Sequence, residues 1–186
     1  MFKFDQDFSW SRKKITPWVN KCKYIILHHN AWGNLKPSTD YILRPDLQIG
    51  YHFLIGDKWE AIKFAWPDKI VWHAWVSEWG NDWNISTWWS LNWCSIGLCI
   101  LWPNKQGGFT KQQRDKAKEL IVYLMKVFNI PAENVLTHTA ITQLNGNSKI
   151  KKLPDLNTPS RKKDVARTFW TEQWFKSFSE YQKSFK

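Results

Sequence analysis

Apolar positions fall into short runs divided by polar, Gly- and Pro-containing stretches, with one longer stretch at helical spacing. Lys23 to His29 is β-branched and apolar and closes on two histidines, which predicts a buried strand delivering polar groups at its C-terminal end. Tyr51 to Ile55 predicts a second strand, with a turn at Gly56-Asp57 and a return through Glu60 to Phe64. Ser95 to Leu101, SIGLCIL, predicts a third and Val135 to His138 a short fourth.

Thr110 to Phe128 carries the clearest helical signature. Thr110 can cap its start, Gln113 completes a capping box, and Ala117, Leu120, Ile121, Leu124 and Phe128 form one apolar stripe. Asp164 to Phe178 predicts a second helix, and Tyr41 to Leu47 a shorter helical piece broken by Pro45. Gln143 to Ser160, rich in Asn, Ser, Pro and Lys, reads as a long surface loop. Strands alternating with helices point to the α/β class: a single domain with a central mixed β-sheet flanked by α-helices. Residues 1–21 are expected to pack on or extend this domain, which occupies residues 22–186 with 143–160 as an inserted loop.

Composition narrows the picture. Hydrophobic content of 43% with 17% aromatics is ample for a folded core. No stretch approaches the roughly 20 apolar residues of a membrane span. The segment MFKFDQDFSWSRKK has no uninterrupted apolar core, so synthesis in a cytoplasm without a secretory signal is expected. Cys22, Cys94 and Cys99 are odd in number and lack C-x-x-C spacing, which suits free thiols in a reducing compartment. A net charge of +11 gives the surface a positive field that would concentrate polyanions, whether nucleic acid, anionic membrane or anionic wall polymer.

The candidate chemistry lies in the histidines. All five fall in short segments: YIILHHN (His28, His29), GYHFLIG (His52), VWHA (His73) and VLTHTA (His138). Catalytic zinc takes about three protein ligands and keeps a position for water, and His or carboxylate donors on strand ends suit it. His28, His29, His138 and Asp164 are the candidate donors on these grounds. No HExxH-type local motif is present, so spacing alone leaves the assignment open.

The order HHNA, GYHFLIG, WHA, SIGLCI, a capped helix, THTAI and RKKD resembles the zinc-dependent N-acetylmuramoyl-L-alanine amidases, the family that includes phage lysozyme-type amidases and peptidoglycan-recognition proteins. The resemblance covers roughly residues 22 to 175. It implies His28, His138 and Asp164 as zinc ligands, with Asp155 as an alternative third donor, because Asp164 is followed by Val165-Ala166 where the family has Pro-Gly. It implies catalytic roles for Lys162, which would donate to the tetrahedral oxyanion, and for Tyr51, which would hydrogen-bond the attacking water or the intermediate. Cys99 stands where other branches carry a glutamate, in agreement with the Tyr51 type of site. His29, His52 and His73 are expected to shape the groove, contacting glycan or supporting the ligands. The cofactor implied is Zn2+ and the partner is peptidoglycan, with a monomer expected and no specific nucleic acid.

The implied reaction is hydrolysis of the amide between N-acetylmuramic acid and L-alanine, in a lytic, endolysin-like enzyme acting on the wall once released. A cytoplasmic muropeptide-recycling amidase and a non-catalytic peptidoglycan-binding module are the alternatives. A single-strand nucleic-acid binder would also use positive charge and aromatics, but it leaves the histidine placement unexplained.

Fifteen tryptophans stand against eight glycines. Trp18 follows Pro, Trp83 follows Asp and Trp93 follows Asn, all turn pairs that usually end in glycine, and Trp75 stands where the family has glycine. Trp32, Trp59, Trp66 and Trp102 lie in similar contexts, and glycine at these positions would double the glycine count. Many of these codons are therefore expected to be UGA read as glycine in the source lineage, the alternative being a sugar-stacking aromatic surface. Trp72, Trp79, Trp170 and Trp174 fit as genuine aromatics.

Overall fold

The computed structural model describes residues 2–10, 19–30, 34–47, 50–74, 91–101, 109–138, 141 and 183–185. Its centre is a mixed sheet with six strands among the described residues, in the order β1-β4-β3-β5-β2-β6. These are β1 (Gln6–Asp7), β2 (Tyr24–Asn30), β3 (Phe53–Ile55), β4 (Ala61–Lys63), β5 (Ser95–Leu101) and β6 (Val135–Thr137). β5 runs parallel to both β2 and β3, and β6 parallel to β2; β3 and β4 form an antiparallel hairpin.

Every residue of β5 is buried, as are the first five of β2. Continuous apolar runs are what parallel strands covered on both faces require. Side chains nevertheless alternate between those faces. Ile25, Leu27, Ile96, Leu98, Ile100, Phe53 and Ile55 pack on one side against Ala117, Leu120, Ile121 and Leu124 of helix α2 (Lys111–Phe128). Burying each of these large side chains stabilises the fold by roughly 1.5–3 kcal/mol. The other side carries Leu54, Ile62, Cys99 and Leu101 with Ile42, Leu35 and Leu43 of helix α1 (Leu35–Leu43).

Helix α2 starts as its sequence predicts: Thr110 accepts from the Gln113 backbone N–H, and the Gln113 side chain accepts from the Thr110 N–H. It ends at Asn129, whose left-handed φ of 53° is a conformation asparagine tolerates. Gln113 also donates to the carbonyls of Gly56 and Leu101, at 2.9 and 2.8 Å, and so pins the helix start to the hairpin and to the end of β5.

Helix α1 departs from the expected Tyr41–Leu47 piece. It runs from Leu35 to Leu43, with Pro37 in its first turn, where a missing N–H breaks no intrahelical bond. Pro45 then forces its predecessor out of helical conformation, and Arg44 has ψ 129°. The second strand is also shorter than expected: Tyr51 and His52 precede β3, although the His52 N–H already bonds to the Gly97 carbonyl at 3.0 Å.

β1, unpredicted, adds a parallel edge strand to β4. Asp7 pairs with the buried Lys63 ammonium at 2.6 Å, and that ammonium lies 3.5 Å from the Trp66 ring centroid. Burial raises the Asp7 pKa, but hydrogen bonds from Lys63 and Ser9 outweigh it and hold the carboxyl below its ordinary value.

Trp59 closes the β3–β4 hairpin with φ 58°, its N–H bonded to the Gly56 carbonyl at 3.2 Å. A turn followed by a left-handed residue is the hairpin geometry that selects glycine. Trp59 therefore meets the conformation expected of a glycine position. Trp66 and Trp93 do not: among the described residues, positive φ outside glycine occurs at Cys22, Trp59 and Asn129. Trp18, Trp32, Trp75, Trp79, Trp83, Trp102, Trp170 and Trp174 lie outside the described residues, as do the predicted helix Asp164 to Phe178 and the loop Gln143 to Ser160.

Candidate functional site

The parallel strands set the site. In the β2–β5 register His28 stands beside Cys99, and in the β2–β6 register Leu27 stands beside Thr137, so His28 and His138 follow at neighbouring strand ends. Their ring centroids are 4.7 Å apart. The Tyr51 ring lies 5.0 Å from that of His28, and Tyr51 itself packs beside Leu54 and Cys99. Three residues far apart in sequence thus converge at the C-terminal end of the parallel strands, on the side of the sheet that carries α1. Asn30 donates to the Ser38 hydroxyl at 2.9 Å and ties the end of β2 to that helix.

A third imidazole joins them from a separate segment. His73 Nδ1 lies 3.0 Å from His28 Nε2, the two rings nearly perpendicular. His73 Nε2 is 3.3 Å from the Ser95 carbonyl and 3.2 Å from the Ser95 hydroxyl. A carbonyl can only accept, and the Ser95 hydroxyl already donates to the Leu91 carbonyl, so Nε2 of His73 carries its proton and Nδ1 of the neutral ring accepts from His28. The His73 pKa is driven well below the ordinary value, first by burial, then by His28 and His52 and least by His138, against an upward pull from the hydrogen bond to Ser95. It stays neutral at physiological pH.

His52 is wholly buried and committed to the frame. Its Nε2 donates to the Lys69 carbonyl at 2.8 Å, and its Nδ1 accepts from the Gly97 N–H at 2.9 Å. Direct contact with a glycan, expected for His52 and His73, does not fit side chains 0% and 6% exposed with their ring nitrogens so engaged. His29 is placed differently. Strand alternation turns it to the face opposite His28, in register with Ile100, whose side chain packs toward α2.

Lys162, Asp164 and the alternative donor Asp155 lie outside the described residues. Among the described residues no three His, Cys, Asp or Glu side chains are placed so that together they could hold a metal ion. His28 and His138 are the donors the fold brings together, and imidazole donors on rigid strand ends suit zinc by chemistry.

Sequence reasoning missed the residues that hold His73. Asn92 Oδ1 accepts from the backbone N–H of both His73 and Ala74, at 2.9 and 2.8 Å. Gly97 gives the imidazole its space, since a Cβ there would lie 2.5 Å from His73 Cγ. A glycine inside an apolar strand was the available signal, because it marks a close approach.

The family model for N-acetylmuramoyl-L-alanine amidases matches residues 18–155. The match includes His28, Tyr51, His138 and Asp155 and stops short of Lys162 and Asp164. No curated protein is a match to the chain. Among solved structures, PlyL resembles it over 100% of this chain and 97% of its own, at 19% identity and a TM-score of 0.64, a likeness of fold. A mutant endolysin from Bacillus subtilis is 27% identical over 76% of this chain and 87% of its own, with a TM-score of 0.56. The catalytic domain of XlyA is 26% identical over 75% and 86%, with a TM-score of 0.55.

Proposed function

The chain belongs to the N-acetylmuramoyl-L-alanine amidase family, and from that premise we propose that it is a zinc-dependent lytic enzyme cleaving the amide between the lactyl group of N-acetylmuramic acid and L-alanine. The observation that carries this reading is the convergence of His28, His138 and Tyr51, which three separate segments bring to one end of the sheet. His28 and His138 would hold the metal, with Asp164, or Asp155 in its place, as the third donor. Zinc, when bound, supplies an acidified water and a Lewis acid for the scissile carbonyl.

The protein's own groups do the rest. The Nε2 of His28 is engaged by His73, so His28 would hold the metal through Nδ1. Tyr51, beside His28, is assigned to hydrogen-bond the reacting water or the oxyanion as charge develops, and Lys162 to donate to that oxyanion. Cys99, fully buried, stands beside His28 in the β2–β5 register. A wall-lytic role agrees with the net charge of +11, which draws the enzyme to an anionic polymer, and with the endolysin among its structural relatives.

Substituting His138→Ala tests the mechanism. The variant is expected to lose stoichiometric zinc and wall hydrolysis together. Undiminished lysis by His138→Ala would overturn the mechanism. Retained binding to sacculi with no hydrolysis by the zinc-loaded wild type would favour the non-catalytic alternative.

A further inference from the structure

The hydrogen bonds around His73 run in one direction. The Ser95 carbonyl accepts from His73 Nε2–H at 3.3 Å, and His73 Nδ1 accepts from His28 Nε2–H at 3.0 Å. The chain begins at Ser95, whose carbonyl cannot donate and whose hydroxyl, 3.2 Å from the same nitrogen, already donates to the Leu91 carbonyl, so each proton's position follows from the one before it. Asn92 fixes the backbone of His73, and Gly97 leaves room for its ring directly over β5. None of these residues is expected to touch substrate, and the ring they hold is 6% exposed.

We infer that His73 is a positioning residue that sets the tautomer and ring direction of His28, so that His28 presents Nδ1 rather than Nε2 to the site. The inference rests on the proposal that His28 is a metal ligand. Metal-binding histidines commonly donate their second nitrogen to a fixed acceptor, and loss of such a partner typically costs about 10–100-fold in metal affinity. Here the acceptor is another imidazole whose own proton is fixed by β5. The glycine of the SIG segment and the asparagine of the LNW segment (Leu91 to Trp93) thereby acquire a shared role.

The test uses long-range 15N–1H NMR of the histidine rings in the metal-free chain, with the His28 signals assigned by their loss in His28→Gln. Zinc affinity is measured alongside by chelator competition. In the wild type, His28 is expected in the Nε2–H form. In His73→Ala that form should give way to a mixture and zinc affinity should fall about 10–100-fold. His73→Asn, whose carbonyl oxygen can accept in the place of Nδ1, should recover part of both. Gly97→Ala provides a second route, because its methyl displaces the His73 ring while leaving every proposed ligand intact. An Nδ1–H tautomer of His28 in the wild type would overturn the inference, as would unchanged tautomer and zinc affinity in both His73→Ala and Gly97→Ala. Because the NMR readout needs neither metal nor substrate, a chain that showed the tautomer shift but hydrolysed no peptidoglycan would refute the amidase proposal and leave this one standing.

Discussion

Replacing Trp59 separately by glycine and by alanine isolates a backbone property that the hairpin demands. Both substitutions remove the same ring, which is 53% exposed, so its lost packing cancels in the comparison. What remains is the φ of 58° at the end of the turn. Left-handed backbone costs an L-residue about 1–2 kcal/mol, and glycine escapes that penalty. Against this, glycine's greater freedom in the unfolded chain costs it about 0.4–1 kcal/mol relative to alanine. The difference predicts that Trp59→Gly is more stable than Trp59→Ala by about 0.8 kcal/mol, within a range of about 0–1.6 kcal/mol. In a chain of 186 residues, 1 kcal/mol corresponds to a Tm difference of about 2–4 °C. At an ordinary negative φ the order reverses, so the sign alone decides. Thermal and urea unfolding of the two variants give it, and an alanine variant equal to or more stable than the glycine one would refute the argument. The gene supplies the companion observation. A UGA codon at position 59 agrees with glycine as the native residue there, while UGG codons at 59, 75 and 93 would sink the recoding reading.

Further predictions follow from the edge strand and the buried thiols. The Asp7 carboxyl has a folded pKa below its ordinary value of 3.8, so its contribution is complete above that value and lost as pH falls through the folded pKa. Asp7→Asn should therefore unfold at lower urea than wild type at pH 7, with the gap closing in acid; a gap constant from pH 7 to pH 2 would contradict the pairing with Lys63. Burial, helped by Asp68 and Cys94, pushes the Cys22 thiol up from 9.0 to about 12. Native Cys22 should thus alkylate far more slowly at pH 8.5 than in urea, and the stability this thiol contributes should fade as pH rises from 9 toward 12; rapid native labelling at Cys22 would contradict its burial.

Much of this architecture can be read directly from the residues. After Ser95 the segment to Leu101 has no polar side chain because both sheet faces are covered, and its strand runs from Ser95 to Leu101. Thr110 and Gln113 announce the start of α2 through a local exchange of hydrogen bonds that no tertiary context is needed to predict. The shift of α1 to Leu35–Leu43 has a different cause: two prolines bracket it, and Pro37 resembles a breaker until its first-turn position is known. β1 has only two residues and no periodicity; its place is set by Lys63, a partner remote in sequence.

The candidate site divides in the same way. His28 and His138 follow from strand ends, and the turn of His29 to the opposite face was implicit in alternation along β2. Of the arrangement at His73 only the glycine within β5 left a mark in the sequence, because the rest depends on how Asn92 and Ser95 meet one ring. Tyr51 comes to His28 only because β3 pairs with β5, a long-range contact that no local pattern encodes.

The central claim concerns which bond is cut. Purified sacculi digested with the zinc-loaded chain, then labelled at new α-amino groups and assayed in parallel for new reducing sugar, test it directly. The account predicts new N-terminal L-alanine rising with solubilised wall and no rise in reducing ends. Reducing ends without new N-terminal alanine, or new amino termini at residues other than alanine, would contradict it.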